Sequence, residues 1–226
     1  MNLAVNAERE VSICCDKVPI KGSLVIPRHP VALIIFAHGS GSSRFSPRNS
    51  FVARFLNQNG FATLLLDLLI PAEDQNLELR FNIQLLSSRL IAALHWAKEA
   101  ESIKGLPLGL FGASTGAAAA LQCAGDMTIK EARDIFAVVS RGGRPDLADV
   151  AYLERVKAPT LLIVGQDDEP VIAYNQMALQ KLHCPKSIHL IRGATHLFEE
   201  PGALNIVAEL ALDWFKKNLP GALVSR

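Results

Sequence analysis

Apolar and polar positions along the chain alternate between short, continuous apolar runs and longer segments with helical spacing. The run at residues 31–37 is rich in β-branched and aromatic side chains, which is typical of a strand buried on both faces. Residues 81–100 instead carry apolar side chains three or four positions apart and predict the longest helix. This alternation of strands with helices predicts an α/β fold with a mostly parallel, doubly wound sheet.

The other predicted elements continue the same alternation. The turn-forming residues 17–19 join the first two strands, and we expect an antiparallel hairpin at one edge of the sheet. No linker, charge block or internal repeat divides the chain, so we expect one domain over residues 1–226. The predicted strands are 11–16, 22–26, 61–66, 108–111, 135–139, 159–164 and 187–191; the predicted helices are 47–59, 114–124, 146–154, 171–182 and 203–217.

Composition excludes several classes of protein. The 23 basic and 22 acidic residues leave a net charge of +1, and no basic run indicates binding to nucleic acid or to a membrane surface. No apolar run approaches the roughly 20 residues that cross a bilayer. Residues 1–6 lack the pattern of a signal peptide, and the four cysteines are too few for a disulfide scaffold. We expect a cytoplasmic protein with reduced thiols and no metal site.

The most informative motif is Gly112-Ala-Ser-Thr-Gly116, at the junction of a predicted strand and a predicted helix. Gly-x-Ser-x-Gly in that context is typical of a nucleophile elbow, a strained turn whose neighbours must be small so that Ser114 can project. The helix N-terminus beneath the serine favours developing negative charge. A glycine-containing turn with an incidental serine is the alternative.

Two later loops supply the partners that a nucleophilic serine needs. Asp167 and Asp168 follow the strand at 159–164, and His196 follows the strand at 187–191. A histidine can act as the base and a carboxylate can orient it. The order Ser, Asp, His is the order expected in α/β-hydrolases.

A glycine-rich segment, His38-Gly-Ser-Gly41, follows the buried strand at 31–37. Acyl transfer needs two N–H groups that point at the oxyanion of the tetrahedral intermediate. We expect one from Thr115, which follows the serine, and one from Ser40. His38 is expected to order this loop rather than to transfer protons.

With these motifs together, the chain resembles the α/β-hydrolases, and within them the small members without a lid that are similar to dienelactone hydrolases. The resemblance covers nearly the whole chain and implies Ser114 as nucleophile, His196 as general base and then acid, and Asp168 as its orienting partner. Asp168 stands three residues after Gly165, as in similar sequences, while Asp167 and Asp146 remain alternatives. Dienelactone hydrolases proper carry cysteine at the elbow, so the serine puts that substrate in doubt.

Four arginines lie near the predicted active edge: Arg44, Arg48, Arg141 and Arg144. Guanidinium groups bind carboxylate or phosphate in a bidentate fork, so they predict an acidic ester or lactone. The alternative is salt bridging to Asp146, Asp149 or Glu73.

The sequence therefore predicts a serine hydrolase that cleaves a small ester or lactone through an acyl-enzyme, without a cofactor and without nucleic-acid or membrane partners. The segment between the strands at 135–139 and 159–164 is short, so we expect an open site. A thioesterase or small peptidase with the same residues is one alternative, and a catalytically silent binding protein is another. The sequence does not indicate an oligomeric state.

Overall fold

A single sheet of eight strands runs through the protein. The computed structural model describes residues 7–221. Within them the strands follow the order β1-β2-β4-β3-β5-β6-β7-β8, and the first two pairings, β1 with β2 and β2 with β4, are antiparallel. All other pairs are parallel. The strands are β1 Arg9–Cys15, β2 Val18–Val25, β3 Leu33–Ala37, β4 Ala62–Leu66, β5 Leu108–Ala113, β6 Ile135–Arg141, β7 Thr160–Gly165 and β8 Lys186–Ile191.

Helices cover both faces of this sheet, as the apolar pattern predicts. Successive side chains of β3 alternate between the two cores: Ile35 packs with the helices of one face, and Phe36 with those of the other. The longer helices α4, α5 and α8 cover the first face, and α1 and α9 cover the second. The helices are α1 Pro47–Gln58, α2 Pro71–Asp74, α3 Leu77–Arg80, α4 Ile83–Glu99, α5 Thr115–Gly125, α6 Lys130–Arg133, α7 Val150–Leu153, α8 Glu169–Lys181 and α9 Ala203–Asn218.

The N-terminal hairpin is antiparallel and lies at a sheet edge, but the predicted turn at residues 17–19 is wrong: it begins one residue and ends two residues too late. The turn is at Asp16 and Lys17, both with positive φ, and β2 begins at Val18. Pro19 is tolerated inside the strand because β4 pairs only with residues 22–25 of β2, so no second neighbour needs an N–H from Pro19.

The predicted helix at 146–154 is also wrong in its extent. A 3-10 turn at Pro145–Leu147 is followed by the single turn α7. Asp149 separates the two because its side chain accepts a hydrogen bond from the Ala151 amide and caps α7. The one-turn helices α2, α3 and α6 were missed, since a single turn is too short to produce a periodic pattern.

The connection from β6 to β7 contains only these short turns, so no cap domain covers this edge of the sheet. No helix in residues 7–221 is long and apolar enough to cross a membrane. The four cysteines are free, with Cys14 exposed and the other three buried. The segment considered for a signal peptide, residues 1–6, lies outside the described residues.

Candidate active site

Ser114 stands between β5 and α5 in a strained backbone conformation. Its φ of 51° and ψ of −121° lie in a region that side-chain-bearing residues seldom adopt. Hydrogen bonds hold it there: its amide donates to the Arg141 carbonyl at 3.2 Å, and its carbonyl accepts from the Ala117 amide at 3.0 Å. The serine side chain therefore projects at the carboxyl edge of the sheet.

The two glycines of the motif are required by close backbone approach. A Cβ at Gly112 would lie 2.4 Å from the Ala117 Cα, and a Cβ at Gly116 would lie 2.3 Å from the Ala37 carbonyl oxygen. Real Cβ atoms do not come this close to backbone atoms, so any other residue would force β5, α5 and the loop after β3 apart. This is the steric reason for the spacing seen in the sequence.

His196 and Asp168 come from the loops that follow β8 and β7, and both reach Ser114's edge of the sheet. The His196 Nδ1 lies 2.7 Å from the Asp168 Oδ2, and the His196 Nε2 lies 3.3 Å from the Ser114 Oγ. With a proton on Nδ1 donated to the carboxylate, Nε2 is free to accept the proton of the serine hydroxyl. The arrangement can therefore move a proton from Ser114 to His196.

Further hydrogen bonds position the histidine loop. The Asp167 amide donates to the Ala194 carbonyl at 2.9 Å and ties the aspartate loop to the histidine loop. The Thr195 amide and hydroxyl both donate to Glu200. The hydroxyl bond lowers the pKa of Glu200, which keeps it an anionic acceptor. The two residues that precede His196 are thus held in place.

Among the aspartates considered for the third position, the structure brings only Asp168 to the histidine. The Asp167 side chain is exposed. Asp146 accepts two hydrogen bonds from Arg144 instead.

His38 orders the loop that follows β3, as its position in the sequence suggests. The buried ring accepts a hydrogen bond from the Leu68 amide at Nε2, 3.0 Å away, so its proton is on Nδ1, which lies 2.8 Å from the Gly39 carbonyl oxygen. Burial lowers the pKa of His38 and keeps it neutral. The Gly39 carbonyl and the Ser40 N–H belong to one trans peptide and point in opposite directions. Fixing the carbonyl therefore fixes the Ser40 N–H.

The Ser40 and Thr115 amides are available to an outside acceptor. Neither donates a hydrogen bond to another residue in the range 7–221. Thr115 is the first residue of α5, where an amide has no partner within the helix. These are the two amides that the sequence predicts for the oxyanion hole.

A cavity of about 180 Å³ opens beside the serine. Its walls come from the loop after β3, the first turn of α1, the ends of β5 and β6, and the histidine loop. The lining residues are Gly39, Ser40, Ser42, Ser46, Arg48, Asn49, Ala113, Ser114, Arg141, His196 and Leu197.

Two of the four predicted substrate arginines lie outside this cavity and are engaged by carboxylates. Arg44 contacts Asp67 through its backbone amide and its guanidinium, and it also reaches Glu10 at 2.8 Å. Arg144 forms a bidentate pair with Asp146 at 2.8 and 2.7 Å, and this hydrogen bonding raises its pKa. Arg44 and Arg144 therefore form salt bridges, as the alternative prediction has it. The partners of Arg44, Asp67 and Glu10, were not among the carboxylates considered from the sequence.

Arg48 and Arg141 do line the cavity. Arg141 is the last residue of β6 and is only 7% exposed, and its Nη2 contacts the Asn49 Oδ1 at a long 3.4 Å. Burial, followed by the charge of Arg48, lowers the pKa of Arg141 to about 10. Arg48 forms an ion pair with the exposed Glu199 at 2.8 Å.

Sequence reasoning missed two contributors, Asn49 and Leu68, because neither belongs to a recognisable motif. Asn49 is 92 residues from Arg141, and the Leu68 amide is 30 residues from His38. Only the folded sheet brings these pairs together. In residues 7–221 no group of three or more His, Cys, Asp or Glu side chains is arranged to hold a metal ion.

This geometry can be compared with known proteins. A family model described as an alpha/beta hydrolase domain matches residues 30–213, which is most of the chain. The chain belongs to the α/β-hydrolase family. It is 50% identical to a dienelactone hydrolase from Anabaena variabilis of known crystal structure, with a TM-score of 0.88 over 94% of this chain and 98% of that one. The assignment is therefore to the dienelactone-hydrolase-like hydrolases.

More distant structures share the fold alone. Est1E from Butyrivibrio proteoclasticus is 16% identical, with a TM-score of 0.76 over 92% of this chain and 98% of its own.

A Mycobacterium tuberculosis protein, provisionally named a phosphoribosyl transferase, is 50% identical over 214 residues, or 95% of this chain and 47% of its own. The chain thus spans about half the length of the curated relatives it matches.

Proposed function

We propose that this hydrolase cleaves carboxylic ester or lactone bonds of a small substrate through an acyl-enzyme on Ser114. The observation that carries the proposal is the pair of contacts made by His196, 3.3 Å to the Ser114 Oγ and 2.7 Å to the Asp168 Oδ2. A binding site has no need for a base placed between a hydroxyl and a carboxylate, whereas nucleophilic catalysis does.

In the first half-reaction, His196 accepts the Ser114 proton while Oγ attacks the carbonyl carbon. The Ser40 and Thr115 amides stabilise the oxyanion, and His196 then protonates the leaving alcohol. In the second half-reaction, His196 takes a proton from water while the water oxygen attacks the acyl carbonyl carbon. His196 then returns this proton to the Ser114 Oγ as the carboxylic acid leaves. Asp168 orients the imidazole and stabilises its protonated form.

The size of the site favours a small substrate. A cavity of about 180 Å³ next to Ser114 is smaller than typical pockets for drug-sized ligands, which are about 300–1,000 Å³. The transferase name of the mycobacterial relatives belongs to chains about twice as long, of which the match to this chain covers 47%.

Hydrolysis of short 4-nitrophenyl esters by the wild-type protein and by Ser114→Ala tests the proposal. We expect the serine variant to lose at least about 10³-fold in kcat. Matched thioesters and peptide amides, assayed in parallel, test the ester preference. Equal turnover by the pure Ser114→Ala variant and the wild-type protein would show that Ser114 is not the nucleophile.

A further inference from the structure

Arg141 is a buried cation without a matching anion. Only 7% of the Arg141 residue is exposed, and its Nε and Nη1 atoms have no hydrogen-bond partner among the described residues. No carboxylate within residues 7–221 forms an ion pair with it. Its guanidinium contacts the Asn49 Oδ1 at 3.4 Å and lies 5.8 Å from the centre of the Phe198 ring, and neither group carries a negative charge. Burying an unpaired charge is costly, which makes this arrangement unusual for a residue with a purely structural role.

A second cation stands next to it. Arg48 also lines the cavity, and its charge contributes to the lowered pKa of Arg141. The Nε of Arg48 is buried without a partner, and its ion-pair partner, Glu199, has a side chain that is 64% exposed. Exposed pairs of this kind contribute about 1 kcal/mol or less, so an anion in the cavity can compete with Glu199 for Arg48.

The N-terminus of α1 forms the adjoining wall. Ser46 caps this helix, and Ser46, Arg48 and Asn49 all line the cavity. The first turn holds no acidic residue, so the positive end of the helix dipole is unopposed there. Helix N-termini of this kind favour anions.

We propose that Arg141, Arg48 and the first turn of α1 form an anion-binding subsite beside Ser114, which takes a carboxylate or phosphate group carried by the substrate. Both groups present oxygens that match the guanidinium fork. An anion there offsets the burial of Arg141 and its repulsion from Arg48. The subsite rests on the proposed function only in that its ligand is part of the substrate cleaved at Ser114.

The four arginines near the active edge therefore separate into two groups. Arg44 and Arg144 pair with carboxylates outside the cavity, whereas Arg48 and Arg141 line the cavity. Of these two, Arg48 pairs with the exposed Glu199, and Arg141 has no carboxylate partner among the described residues. Arg48 and Arg141 are accordingly the specificity-determining residues among the four.

A matched pair of substrates tests the subsite. The 4-nitrophenyl hemiester of succinic acid and 4-nitrophenyl butyrate have acyl chains of equal carbon number, and the first carries a carboxylate. We expect the wild-type kcat/KM for the hemiester to exceed that for the butyrate by at least about 30-fold, the effect of one buried charge pair. The 4-nitrophenyl ester of 3-phosphonopropionic acid distinguishes phosphate-type ligands from carboxylates.

Variants assign the preference to residues. Arg141→Met, a near-isosteric neutral change, should bring the ratio of the two kcat/KM values close to 1, and Arg48→Met should lower it in the same direction. Arg54→Met is the control, since Arg54 is on helix α1 with Arg48 but does not line the cavity. This variant should keep the wild-type ratio. Arg141→Lys keeps the charge without the fork and should give an intermediate ratio.

A binding measurement separates failure of the subsite from failure of the proposed function. In the Ser114→Ala variant, succinate or inorganic phosphate should raise Tm in a concentration-dependent way, and Arg141→Met in that background should abolish the shift. If no ester is hydrolysed but the shift is present, the subsite stands and the proposed function fails. A wild-type ratio near 1 together with no Arg141-dependent shift would overturn the subsite.

Discussion

Replacing His38 by alanine tests how the oxyanion loop is held. The change removes both of its hydrogen bonds, 3.0 Å from the Leu68 amide and 2.8 Å to the Gly39 carbonyl, and frees the peptide that carries the Ser40 N–H. Complete loss of one oxyanion donor costs about 10²- to 10³-fold in kcat. Because the loop is loosened and not removed, we expect a fall of about 10- to 100-fold, with a much smaller change in KM.

The same substitution should also destabilise the fold. It leaves the buried Leu68 amide without an acceptor, which costs about 1–3 kcal/mol. Kinetics with 4-nitrophenyl acetate and urea unfolding measure the two effects. His38→Gln can donate and accept through its amide and should recover part of both. A kcat for His38→Ala within twofold of the wild-type value would refute the positioning role.

The neutral state of His38 also predicts a pH dependence. Its pKa is lower in the folded protein than in the unfolded chain, because burial disfavours the charged form. Between those two values the unfolded chain binds more protons, so stability rises with pH in that window. This contribution is complete above the unfolded pKa of about 6.5 and is lost as the pH falls toward the folded pKa. The unfolding free energy of His38→Gln should therefore fall less steeply below pH 6.5 than that of the wild-type protein.

Two further substitutions examine the site's geometry. Asp168→Asn should lower kcat by about 10²- to 10⁴-fold because His196 loses its anionic partner. Asp167→Asn, at the exposed neighbouring residue, should keep kcat within about twofold of the wild-type value. Equal losses of kcat in the two variants would contradict the choice of Asp168. Gly116→Ala should lower the free energy of unfolding by about 3 kcal/mol or more, measured in urea, since its Cβ would meet the Ala37 carbonyl oxygen at 2.3 Å. Gly105→Ala has open space around it and should cost only about 1–2 kcal/mol, because of its positive φ. Similar costs for the two variants would contradict the steric explanation of the elbow.

Much of the fold could be predicted because its signals are local. Continuous apolar runs mark strands covered on both faces, and α1 was predicted from Pro47 at its start and Gly60 just beyond its end. The elbow, the aspartate loop and the histidine loop each follow a strand that could be recognised. Since the carboxyl ends of parallel strands share one edge, the sequence order alone predicts that Ser114, Asp168 and His196 lie close together.

The rest of the site depends on contacts between distant segments. Arg44 and Arg141 are similar in the sequence, each near the end of a predicted strand, yet one pairs with Asp67 and the other is buried without an anion. For these two arginines the partner is decided by packing against segments 23 and 92 residues away, which no local pattern encodes, whereas Arg144 pairs with Asp146 only two residues further along the chain. The one-turn helices were missed for a related reason, because tertiary contacts stabilise them and they are too short to show a periodic apolar pattern.

The most direct test of the central claim is intact-protein mass spectrometry after reaction with a fluorophosphonate, followed by peptide mapping. We expect one adduct per chain on Ser114, formed quickly in the wild-type protein, much more slowly in His196→Ala, and not at all in Ser114→Ala. Absence of an adduct, or an adduct on another serine, would contradict the assignment of Ser114 as the activated nucleophile.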